Sequence, residues 1–156
     1  MKEDLLIDRM LSGWPGKTLY FLICLGFLGF GLVRLGVGSA ALAQLAGWIE
    51  MAEMTEAIGE VGPFLSEHAD QSLYAFGVPD YFAYIAAMGL VLVAGTIGAM
   101  RFKAGGIKLM ALYLVMHGAL FVNAMVVNPK VILLAVTVAL VGVLAWLRPR
   151  FAKGRG

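Results

Sequence analysis

Residues 80–100 read DYFAYIAAMGLVLVAGTIGAM. One acid stands at the first position, and the twenty residues after it carry no charge. A helix rises about 1.5 Å per residue and the hydrocarbon layer is about 30 Å thick, so about 20 apolar residues cross it. The run lacks the two-residue alternation of a barrel strand and reads as a membrane-spanning helix. Three further runs qualify: 18–37 (TLYFLICLGFLGFGLVRLGV), 107–128 (IKLMALYLVMHGALFVNAMVVN) and 129–147 (PKVILLAVTVALVGVLAWL). The expected fold is an all-α membrane protein, a four-transmembrane-helix bundle making one membrane domain over residues 1–156.

Composition agrees. Of 156 residues, 61% are hydrophobic and 14% charged, where a globular domain has about 45–50% and about 25%. Mean hydropathy is +0.87. A soluble domain of this length needs more polar surface, and a disordered chain needs far less apolar content. Residues 1–17 carry three acids and no early apolar core, so they do not read as a cleaved leader.

Charge sets the expected direction of the spans. Ten of the twelve basic residues fall in three places: residues 2–17, the 101–108 link, and the tail from Arg148. Residues 35–79 hold no Lys or Arg. Positive charge stays in the cytoplasm, so both termini are expected there, in a bacterial inner membrane. Gly105-Gly106 and Asn128-Pro129 read as the turns joining spans two to three and three to four. Pro149 reads as the end of the fourth span, and Tyr20, Tyr81, Tyr84 and Trp146 as interfacial rings.

The outer segment, 38–79, is long beside the other links. Residues 39–59 are rich in helix formers, as an extension of span one or a separate helix on the outer face. Glu50, Glu53, Glu56 and Glu60 recur every three or four residues and form one acidic stripe. The stripe reads as a solvated face or as a docking surface for a basic partner. Gly62-Pro63 reads as a break, followed by a short helix near 66–76 with Ser66 as its N-cap.

Ionisable groups at membrane depth are costly and draw attention first. Arg34 is expected about three residues from the outer end of span one. There it snorkels to the interface, or pairs with a glutamate, a lipid headgroup or a quinone. His117 is expected near the middle of span three, with Tyr113 and Leu120 on the same helix face and Asn123 further out. His117, Arg34, Tyr113 and Asn123 together suggest a site for a quinone or a bound lipid. The same residue types also serve as hydrogen-bonding glue between helices. His68 is expected away from His117, which disfavours a bis-histidine haem. Soft ligands for copper are present as Met and Cys24, without a clustered motif on a span.

The stretch 77–121, GVPDYFAYIAAMGLVLVAGTIGAMRFKAGGIKLMALYLVMHGALF, resembles the DoxX-like family of small four-span membrane proteins. The resemblance rests on Gly77, Pro79, Gly95, Gly98 and Arg101, and on 27–38 (FLGFGLVRLGVG), where Arg34 is the basic residue following a Gly. Residues 88–93 are wholly apolar where family members often carry an acid. The family includes subunits of thiosulfate:quinone oxidoreductase, partners of redox enzymes and assembly factors.

No phosphate-binding loop, nucleophile elbow or H-E-x-x-H motif occurs. The basic tail beside a span suits anionic lipid rather than nucleic acid. The expected role is a non-catalytic accessory subunit or assembly partner of a larger membrane complex, redox or energy-converting. Its partners would be membrane lipids and other integral-membrane subunits. The alternatives are a quinone-interacting membrane anchor and a small transporter or copper-handling protein.

Overall fold

The computed structural model describes residues 14–124 and 130–152. Among them are five α-helices: α1 (Trp14–Leu45), α2 (Ala52–Glu67), α3 (Val78–Met100), α4 (Ala104–Ala124) and α5 (Lys130–Ala152), with a 3-10 turn at Ala69–Gln71. The described residues contain no strand. The helices α1, α3, α4 and α5 are each long and apolar enough to cross a membrane. The protein is an all-α, four-span membrane protein.

Glycines fix the way the spans pack. A methyl group built on Gly38 of α1 meets Ala86 N of α3 at 2.6 Å and Phe82 O at 2.8 Å. One built on Gly89 of α3 meets the Leu35 backbone of α1 and, at 2.9 Å, Gly31 O. With no difference in oiliness between lipid and side chain, such backbone approach is a main source of helix affinity in membranes. The same device joins α3 to α4, where Gly95 and Gly98 face Gly106. The helix α5 packs on α4 and touches α1, which closes the bundle.

The ends of the bundle differ in charge. The start of α1, the α3–α4 link and the end of α5 meet in a ring cluster of Tyr20, Phe21, Phe102 and Phe151. Lys17, Arg101, Lys103, Lys108, Arg148 and Arg150 lie on the elements that meet there. At the opposite end the α1–α3 connection carries Glu50, Glu53, Glu56, Glu60, Glu67 and Asp70, all exposed.

Several sequence expectations give way. The first helix runs to Leu45 rather than 37, because 38–45 continues with Ala and Leu and no breaker. It stops at Gly47, whose φ of 74° only glycine adopts cheaply. A separate helix α2 follows, and Gln44 ties it back. Its Oε1 accepts from Met51 N at 3.0 Å and its Nε2 donates to Thr55 Oγ1 at 2.6 Å. Glu53, Glu56 and Glu60 lie on α2, whereas Glu50 lies in the link before it.

Gly62-Pro63 does not break α2, which contains Pro63. Gly62 has no side chain to crowd the proline ring behind it. The expected helix over 66–76 is one 3-10 turn. Ser66 is no N-cap, because it lies inside α2 and donates to Gly62 O at 3.0 Å.

Gly105-Gly106 belongs to the first turn of α4. The reversal falls on Phe102, at a φ of 57°, whose carbonyl accepts from Arg148 Nε at 2.8 Å. Pro149 lies within α5. Tyr20 is fully buried and donates to Ala99 O at 2.8 Å, so it is a core ring rather than an interfacial one. The expected Asn128-Pro129 turn lies outside the described residues.

Candidate functional site

Arg34 points inward. It lies eleven residues before the end of α1, roughly 16 Å at 1.5 Å per residue, so it does not snorkel as the shorter span implied. Its guanidinium sits over the Phe30 ring at 4.9 Å and the Tyr113 ring at 5.8 Å. Nη1 lies 3.9 Å from Met88 Sδ on α3, and Nη2 lies 3.4 Å from His117 Nε2 on α4. The third nitrogen, Nε, is buried and has no hydrogen-bond partner among the described residues.

Helical spacing supplies the other half of the site. Tyr113 and His117 are four apart on α4, so they share a face. Tyr113 Oη lies 3.2 Å from His117 Nδ1. Tyr113 is fully buried and His117 is 6% exposed. A guanidinium only donates, so Nε2 of His117 accepts from it. The ring proton then sits on Nδ1 and is donated to the tyrosine oxygen.

Above this trio lies a cavity of about 210 Å³, lined in part by Arg34, His117, Phe64, Tyr81 and Phe121. Its roof is made by Phe64 and Leu65 of α2 and by His68 and the segment that follows. Asn123 holds that segment down: it accepts from Tyr74 N at 2.7 Å and donates to Tyr74 O at 3.0 Å. The Asn123 backbone carbonyl also accepts from Leu73 N at 3.3 Å.

The four residues singled out from sequence therefore border one cavity region. Arg34, His117 and Asn123 line it, and Tyr113 supports it from below. Asn123 also closes its rim. His68, expected far from His117, lines the same cavity, with its Nδ1 2.9 Å from Phe64 O. Among the described residues no group of three His, Cys, Asp or Glu side chains is gathered as a metal site requires. The roof residues were missed in the sequence. Their signal was the apolar pair Phe64-Leu65 after the acidic stripe. Among the described residues no Asp or Glu lines the cavity.

Glu53, Glu56 and Glu60 are exposed, as is Glu50. They take no part in the cavity. Comparison of the chain with family models, with curated proteins and with solved structures found no match.

Proposed function

We propose that this protein is an accessory membrane subunit that holds the polar head of a membrane-borne amphiphile, a quinone or a lipid, beneath its acidic helix α2. One observation carries the reading. Arg34 and His117, brought from α1 and α4, meet at 3.4 Å on the floor of a roofed cavity. The Arg34 guanidinium donates to carbonyl or phosphate oxygens, and the rings and apolar lining shield that contact from water. His117 positions Tyr113 by taking up its oxygen as an acceptor.

The charge asymmetry of the bundle supports an orientation with both termini cytoplasmic and the cavity near the outer face of a bacterial inner membrane. Resemblance to DoxX-like proteins favours a redox complex as the setting. The exposed row Glu53, Glu56 and Glu60 favours docking of a basic partner domain on α2. Exposed carboxylates of this kind change association more than stability.

The test is purification in mild detergent from the native membrane, with identification of co-purifying proteins and extracted amphiphiles. The reading expects a stoichiometric partner complex and a bound quinone or lipid. Changing Glu50, Glu53, Glu56 and Glu60 to Gln is expected to release the partner and keep the ligand. His117→Ala is expected to do the reverse. A lone chain without an amphiphile would overturn the reading.

A further inference from the structure

We infer that the head group held on Arg34 is anionic and carries an apolar tail that leaves sideways into the bilayer, which makes the ligand an acidic lipid. This rests on the reading that the cavity holds a membrane-borne amphiphile. It goes further by separating an acidic lipid from a neutral quinone and from a free anion.

The first argument is charge. Arg34 contacts a thioether, an imidazole nitrogen and two aromatic rings. Among the described residues its buried Nε has no partner and no carboxylate lines the cavity. A guanidinium half-withdrawn from water favours an anion as its partner. The guanidinium lines the cavity, and a guanidinium donates charge-assisted hydrogen bonds to a carboxylate or phosphate. A quinone carbonyl brings an acceptor and no charge.

The second argument is the route. Glu53, Glu56, Glu60, Glu67 and Asp70 are exposed on and just after α2, the helix that roofs the cavity. Their negative field disfavours approach of a free anion from water. On the lipid side, a groove of about 630 Å³ shares Tyr74, Phe76, Leu120 and Asn123 with the cavity. Beyond them it runs over Val115 and Ala119, both exposed. The shared residues form the boundary between the two spaces, and the segment that Asn123 clasps is part of it. A head on Arg34 and a tail over Ala119 occupy both spaces at once.

The experiment titrates the full chain, delipidated in detergent, with dioleoyl phosphatidic acid, dioleoyl phosphatidylcholine and decylubiquinone, and counts adducts by native mass spectrometry. Phosphatidic acid is expected to bind about tenfold or more tightly than either other probe, the scale of a charge-assisted pair of hydrogen bonds. Excess inorganic phosphate is expected not to displace it. Arg34→Gln is expected to abolish the preference and Arg34→Lys to keep part of it. Ala119→Trp, on an exposed face, is expected to weaken phosphatidic acid while the bundle stays folded.

Equal or tighter binding of decylubiquinone overturns the anionic head and leaves the amphiphile reading standing. Displacement by phosphate, or full binding by Ala119→Trp, overturns the lateral tail. Unchanged preference in Arg34→Gln puts the lipid elsewhere and overturns the assignment to Arg34. Absence of binding by all three probes overturns the amphiphile reading itself.

Discussion

Nη2 of Arg34 faces Nε2 of His117 at 3.4 Å, and among the described residues no carboxylate lines the cavity around them. A cation is thus held against a neutral partner rather than an ion pair. Stability and binding then pull in opposite directions at this position. In the delipidated protein, Arg34→Gln is expected to leave the unfolding free energy unchanged or raise it by about 1 kcal/mol, because a half-buried charge with no anionic partner among the described residues is removed. A loss of about 3 kcal/mol in detergent unfolding would mean that the charge is already compensated within the fold.

Gly38 and Gly26 lie on the same helix and are expected to respond oppositely. A methyl on Gly38 strikes the Ala86 and Phe82 backbone, which no side-chain rotation relieves. Gly38→Ala is expected to cost about 2 kcal/mol, as overpacking does. A methyl on Gly26 meets nothing within 4 Å. Gly26→Ala is expected to be neutral or to stabilise by up to about 1 kcal/mol, from helix propensity. Thermal unfolding of the two variants decides, and similar shifts for both would contradict the packing described.

Gln44 accepts from the backbone N–H of Met51, the N-cap residue of α2, which makes no side-chain cap of its own. Gln44→Ala is expected to cost about 1 kcal/mol locally, the usual worth of an N-cap. Hydrogen exchange would read this as faster exchange at Met51 and the first turn of α2, with the spans unchanged. Unchanged exchange there would show that the tie contributes nothing.

Asn123 makes both of its side-chain hydrogen bonds to the Tyr74 backbone. Asn123→Ala is expected to speed amide exchange at Tyr74 and to speed ligand release more than it weakens the Arg34 contact. A slower release rate would contradict the role of this clasp as part of the cavity wall.

The spans were legible because an apolar run of about 20 residues has few other uses. Their ends were less so. Residues 38–45 hold no charge and no breaker, and nothing local marks where the bilayer ends and α1 continues. At Phe102 the chain reverses on a bulky residue while Gly105 and Gly106, beside it, are helical. Gly106 is needed for close approach to α3 rather than for a turn. In the site, the Tyr113–His117 pair followed from helical spacing alone. The roof did not, since Phe64, His68 and Tyr74 reach the cavity through the Gly47 bend and the Asn123 clasp. Both are tertiary events that leave no periodic trace.

The most direct measurement is native mass spectrometry of the intact chain released from its own membrane, alongside Arg34→Gln. The account predicts one tightly held amphiphile on the wild type that survives activation and is missing from Arg34→Gln. A bare wild-type chain, or the same adduct on both proteins, would contradict it.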